Sequence, residues 1–275
     1  MKSLILKTLK NLIIYRRGET GRQSFLLACM DKSGSSWISR GFDKMPNCKQ
    51  VSFVPAHGAR EQEIDTWSIN YMLFKFSNLN TIAQTHVKYN VNTRNCLIRH
   101  GIRPIVLTRN IKDQLVSLVD HWRKESSDPM YSAYIERSYF NEEFTESSVS
   151  SSSPLEYAVI LHAPWILNFY LSWKKYDSNP AGKLPDHLKP IYITYEDFVD
   201  NPYESFSSLF RKLNLSFNDN ELHSLISDLG SSKKTRKNVG IKGRGEMEFS
   251  KDEKATHALN RLLNLYQHED LSGIC

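Results

Sequence analysis

Three stretches of the chain are apolar without alternation: SFLLACM at 24–30, IRPIVLT at 102–108 and the shorter IYIT at 191–194. A strand that faces water on one side alternates. A strand covered on both faces, as in a parallel sheet, runs unbroken. The second run is followed by Ile111, Leu115, Leu118, Val119 and Trp122, and the third by Phe206, Leu209, Phe210 and Leu213. Those spacings predict amphipathic helices, the later one opening at Asn201 and Pro202 as cap and first turn. The first run leads into DKSGSSW and a mixed stretch to Lys44. A strand–loop–helix unit used three times predicts an α/β fold, a central mostly parallel sheet flanked by helices. Further helices are expected at about 155–176 and from about 251 onward.

Two regions do not fit that rhythm. At the start, Ile5, Leu9, Leu12 and Ile13 fall on one helical face, and Lys7 and Lys10 interrupt what would be a signal-peptide core. We read a short helix packed on the domain. Residues 125–154 are polar and end in the run Ser150 to Ser153 closed by Pro154, the pattern of a long surface loop or lid. No apolar run approaches the ~18 residues of a membrane-spanning helix, so no integral membrane contact is expected. Residues 1–275 are read as a single domain.

Charge and cysteine content narrow the picture a little. The formal net charge of +6 suits nucleic acid, a membrane surface or a small polyanionic ligand without choosing between them. Cys29, Cys48, Cys96 and Cys275 show neither CxxC spacing nor metal-ligand clustering. They read as reduced thiols of a cytoplasmic protein rather than a disulfide scaffold, and no metal is expected.

The loop after the first apolar run is the most informative segment. A glycine-containing turn between a strand and a helix offers backbone N–H groups and the positive helix end to an anion. Lys32 adds a charge and Ser33, Ser35 and Ser36 add hydroxyls. It is not a Walker A loop, whose lysine directly follows its second glycine: here Lys32 precedes Gly34 by two residues. Farther on, Arg109 ends the second apolar run, where α/β proteins bind ligands, and can grip a phosphate bidentately. Alone, it could equally be half of a surface ion pair with Asp113.

Taken together, these residues resemble the cytosolic-type sulfotransferases that use 3′-phosphoadenylyl sulfate (PAPS). DKSGSSW is similar to the family's PKSGTTW-like loop. Arg109 and Ser117 match its arginine–serine pair, spaced eight apart. Thr85–His86 matches its TH dipeptide at a strand end, Tyr195–Glu196–Asp197 its YED segment, and Gly240 with Gly243 its terminal G-x-x-G segment, followed by Phe249–Ser250. The matches run in the family's order over about 22–270. Two departures stand out. Asn238–Val239 replaces the usual Arg-Lys before the first glycine, and Arg244–Gly245 follows Gly243 where a tryptophan is usual. Bacterial relatives carry such GRG forms.

The resemblance implies a P-loop-kinase-like sulfotransferase fold, PAPS as donor, 3′,5′-ADP (PAP) as product and a small-molecule acceptor carrying a hydroxyl or nitrogen. It implies His86 as general base and Lys32 against the leaving phosphate. The loop amides and Ser33, Gly34, Ser35 and Ser36 would hold the 5′-phosphosulfate, and Arg109 and Ser117 the 3′-phosphate. The family's equivalent serine also acts on the lysine, so Ser117 joins Lys32 and His86 among the catalytic residues. Trp37 would stack on adenine with Tyr195 lining the same base, although core packing would serve both rings equally well. Arg236, Lys237 and Gly240 complete the implied 3′-phosphate contacts.

The acceptor is less legible. Residues 125–146 hold Glu125, Asp128, Glu136, Glu142, Glu143 and Glu146 against the single base Arg137, with Tyr131, Tyr134, Tyr139, Phe140 and Phe144 interleaved. Acid with aromatic surface suits a cation. Natural-product tailoring members acting on guanidinium alkaloids of the saxitoxin type fit that reading, and a solvated acidic loop is the plainer alternative. Two other functions stay open from the residues alone. One is a nucleotide-dependent small-molecule kinase, against which the missing Walker pattern counts. The other is a nucleic-acid-binding module using the basic segment 233–244. Oligomeric state has no sequence signature.

Overall fold

The computed structural model describes residues 21–55, 63–125, 153–176, 178, 183–231 and 243–275. The expected N-terminal helix, the acidic stretch up to residue 152, and Arg236, Lys237 and Gly240 lie outside the described residues. In chain order the elements are β1 (Ser24–Cys29), α1 (Ser35–Lys44), β2 (Cys48–Val51), α2 (Thr66–Lys75), β3 (Asn80–Thr85) and α3 (Val91–His100). There follow β4 (Ile102–Thr108), α4 (Ile111–Glu125), α5 (Pro154–Lys174), a 3₁₀ turn at Asp186–Leu188, β5 (Ile191–Thr194), α6 (Tyr195–Asp200) and α7 (Pro202–Lys212). The last three are α8 (Asp219–Ser231), α9 (Arg244–Ser250) and α10 (Glu253–Asn264).

The strands form one five-stranded sheet in the order β2-β3-β1-β4-β5, and every pairing is parallel. This is the α/β architecture the apolar runs predict. β1 lies at the centre and every one of its residues is buried, which is why its sequence shows no alternation. On one face Phe25, Leu27, Ile82, Ile105, Leu107 and Ile191 pack against Ile38 and Phe42 of α1, Phe198 of α6, Phe206 and Phe210 of α7, and Leu222 and Leu225 of α8.

Contacts gather the chain into two compact units. One runs to Thr108 and includes Ser172–Arg236; the other comprises Arg109–Leu171 and Lys237–Cys275. The first holds the whole sheet. In the second, α9 packs on α4, and the buried Ile274 returns its carbonyl to the backbone N–H of Ile111 at 2.7 Å, satisfying one of the free donors at the start of α4. Gly273 sits so close to the Tyr170 ring that a Cβ would lie 2.8 Å from its hydroxyl oxygen.

Candidate active site

β1 delivers the chain into a loop that turns twice through the left-handed region, at Lys32 (φ 55°) and at Gly34 (φ 80°), before α1 begins at Ser35. A lysine at positive φ costs about 1–2 kcal/mol, so the surrounding structure must impose it. Ser33 does part of this: fully buried, it donates its hydroxyl to the carbonyl of Met30 at 2.5 Å, leaving its backbone N–H as what it can offer an anion. Gly34 is required twice over, by its φ and by the Tyr195 ring. A Cβ there would lie 2.4 Å from Tyr195 Cδ2 and 2.5 Å from Cε2. No side chain caps α1 and no acid occupies its first turn. The positive end of the helix dipole is therefore open to an anion, with the Trp37 N–H already turned onto the Gly34 carbonyl at 2.9 Å.

β3 runs beside β1 with Thr85 paired to Ala28, so His86 leaves the sheet at the same carboxyl edge as the Lys32 loop. Ligands bind in that crevice in open parallel sheets. The backbone beyond His86 is pinned: Trp173 Nε1 donates to the Val87 carbonyl at 3.0 Å, and the Tyr89 N–H to Ser172 Oγ at 3.0 Å. His86 itself is half-buried. Tyr195 opens α6 from the end of β5 and is buried against Gly34. Trp37 packs edge-on against Phe206 at 5.5 Å and Phe198 at 6.2 Å, so the packing role foreseen for it is filled, while the side chain is only partly buried.

One contributor here was missed in the sequence. Gln84, buried in β3, donates from Nε2 to Ser35 Oγ at 2.5 Å and accepts from Ser39 Oγ at 3.1 Å. A lone amide side chain within a buried strand, two residues before His86, was the signal available.

In the second unit Arg109 is buried and Ser117 half-buried on α4. The surface ion pair allowed for Arg109 and Asp113 is not what forms. The buried Asp113 carboxylate instead accepts the backbone N–H groups of Gly243 at 2.7 Å and Gly245 at 2.5 Å. Gly243 takes φ 80°, and a Cβ on Gly245 would meet the Asp113 nitrogen at 2.5 Å. Arg244 between them pairs with Asp120 at 2.8 Å, and Lys112 with Glu246 at 2.8 Å. The GRG stretch is therefore a docking segment, with each glycine set by a contact or a dihedral.

The thiols take no part. Burial pushes Cys48 up to about 11, and it raises Cys96 as well. Both stay protonated and weakly nucleophilic near neutrality. Among the described residues no group of His, Cys, Asp and Glu could hold a metal ion, and no helix is long and apolar enough to cross a membrane.

A parallel sheet with an uncapped, lysine-bearing loop at its carboxyl edge defines an α/β protein whose loop can receive an anion. The model of the sulfotransferase domain matches residues 22–256, and the chain belongs to that family of sulfotransferases. Mouse sulfotransferase SULT7A1, solved with PAP, is similar in fold at a TM-score of 0.58 and 17% identity, over 92% of this chain and 86% of its own. Retinol dehydratase, solved with androsterone and the inactive cofactor PAP, aligns at 0.51 and 12%, over 90% and 82%. No curated protein matches the sequence.

Proposed function

We propose that this sulfotransferase moves the sulfuryl group of PAPS to a hydroxyl or nitrogen of a small-molecule acceptor. The observation that carries the reading is the uncapped α1 terminus with Lys32 and Gly34 at positive φ, set at the same sheet edge as His86. The acceptor atom attacks sulfur, the bond from sulfur to the bridging phosphate oxygen breaks, and PAP departs with that electron pair. His86 takes the acceptor's proton. Lys32 and the loop amides neutralise charge growing on the leaving phosphate, the interaction most worth making in a transition state. Arg109 and Ser117 hold the 3′-phosphate with Arg236, Lys237 and Gly240, and Trp37 and Tyr195 flank the adenine. Positive groups and amides suffice for this step, so it needs no metal. Two similar folds were solved with PAP, which supports the donor assignment.

The chain acts as one sulfotransferase domain, in the cytoplasm, where buried free thiols such as Cys29, Cys48 and Cys96 stay reduced. The acceptor is cationic, of the guanidinium alkaloid kind; the six acids against one base in 125–146 support this. Thermal melts test the donor: PAP raises Tm in EDTA, and ATP with Mg²⁺ in EDTA-free buffer does not. The reverse pattern would make the protein a kinase, and stabilisation by an oligonucleotide alone would make it a nucleic-acid binder. His86→Ala then retains PAP binding and loses about 10²–10⁴-fold in turnover. Near-normal turnover would move the base to another residue.

A further inference from the structure

A serine hydroxyl can give a hydrogen bond or take one, and a phosphate site needs it to give. Ser35, the first residue of α1 and only 5% exposed, faces a buried amide rather than another hydroxyl. The Gln84 Nε2–H group occupies a lone pair of Ser35 Oγ at 2.5 Å. On its other side Gln84 Oε1 accepts from Ser39 Oγ at 3.1 Å, the nearer of two acceptors for that proton, the Ser36 carbonyl lying at 3.4 Å. Among the described residues no acceptor takes the remaining Ser35 proton, and it belongs to the loop that carries Lys32 and the uncapped amides. The three groups form a directional relay, from Ser39 to Gln84 to Ser35 and outward.

We infer that Gln84 is a positioning residue for donor binding: it fixes Ser35 as a hydrogen-bond donor to the phosphosulfate. This rests on the reading of that loop as the PAPS site. Gln84 also stands two residues before His86 on β3, so one amide ties the strand of the base to the loop of the donor. Neutrality is essential to the role. A carboxylate in the same place is acceptor-only, so it would take the protons of Ser39 and Ser35 together, turn Ser35 away from the anion and set a negative charge beside it. An apolar residue of the same length would leave Ser35 free to turn either way.

The test is PAP affinity by calorimetry across pH for the parent, Gln84→Glu, Gln84→Met, Ser35→Ala and the double variants. Ser35→Ala should weaken PAP about 10–100-fold, the worth of one hydrogen bond to an anion, and Gln84→Met by a smaller factor of about 3–10, since Ser35 can still turn to donate. Gln84→Glu should weaken it more than tenfold at pH 8, with its ratio to the parent recovering towards that of Gln84→Met as the introduced carboxyl is protonated on acidification. In the Ser35→Ala background the Gln84→Met change should lose its effect. A merely structural role for Gln84 would move none of these couplings. If Gln84→Glu fails to fold, Ser35→Ala and Gln84→Met decide alone. Parent-like PAP affinity in both, or an undiminished Gln84→Met effect without the Ser35 hydroxyl, overturns the inference while leaving PAP as ligand. A parent that does not bind PAP overturns the donor reading, and this inference with it.

Discussion

Gly34→Ala places one methyl group where two independent constraints meet. The backbone there has φ 80°, which costs an alanine about 1–2 kcal/mol. The same methyl would lie 2.4 Å from a carbon of the Tyr195 ring, so the ring or the loop must give way, at about 1–3 kcal/mol for an overpacked site. Unfolding in urea should therefore show a lowered midpoint at constant slope, worth about 2–5 kcal/mol in total. The two contributions separate in a double-mutant cycle. In a Tyr195→Ala background the ring is gone and only the dihedral penalty remains, so Gly34→Ala should become about 1–3 kcal/mol less costly there. PAP affinity should fall in Gly34→Ala because the loop amides move. If the cost is the same with and without the Tyr195 ring, the close approach is not what excludes a side chain. If it is below about 1 kcal/mol in both backgrounds, the dihedral argument fails too.

Lys32→Ala should slow the single-turnover chemical step by about 10²–10³-fold and also weaken PAP; a change in binding alone would leave the lysine an anchor. Asp113→Asn keeps the shape but offers one acceptor oxygen to two backbone amides, so urea unfolding should show a loss of about 1.5–3 kcal/mol, and no loss would mean the Gly243 and Gly245 contacts contribute nothing net. Burial raises Cys48 to about 11 from 9.0 and Tyr89 to about 12 from 10.0. Both groups ionise more readily in the unfolded chain, so stability is full below pH 9 and falls as pH climbs through 9–11 for the thiol and 10–12 for the phenol. Cys48→Ala should flatten the lower part of that decline in pH-dependent urea melts, and an unchanged slope would assign it elsewhere.

What could be read from the sequence follows burial. β1 and β4 stood out because strands covered on both faces carry no alternation and few polar atoms, whereas β5, an edge strand with Tyr192 exposed, showed only as a short apolar run. β2 and β3 did not. β2 is an edge strand with Lys49 and Gln50 half-buried, and β3 reads NTIAQT because its polar side chains bond across the fold. Asn80 Oδ1 accepts the Gln23 N–H at 2.9 Å, and the hydroxyls of Thr81 and Ser24 meet at 2.7 Å. Only the resemblance of Thr85–His86 to a known motif marked a strand end there. The segment YEDFVD is the short helix α6. Thr194 caps it by accepting the Asp197 N–H at 3.2 Å, and Pro202 opens the next helix. The Lys32 loop was legible because its chemistry lies within seven consecutive residues. Gln84 and Asp113 were not, because each acts on backbone or hydroxyl groups far along the chain.

The hydrogen bond from Ile111 to Ile274 has a consequence for synthesis on the ribosome. The start of α4 is completed by residues that emerge roughly 160 positions later, which at 5–20 residues per second is a delay of about 10–30 s. For most of that interval, until residues 243–250 have been made, the buried Asp113 carboxylate lacks the amides of Gly243 and Gly245, and the apolar face of α4 lacks α9. The second unit is therefore a fold that closes only once residues 243–274 have been made. A nascent chain stalled short of Gly243 would present that unfinished helix to every other chain being made nearby.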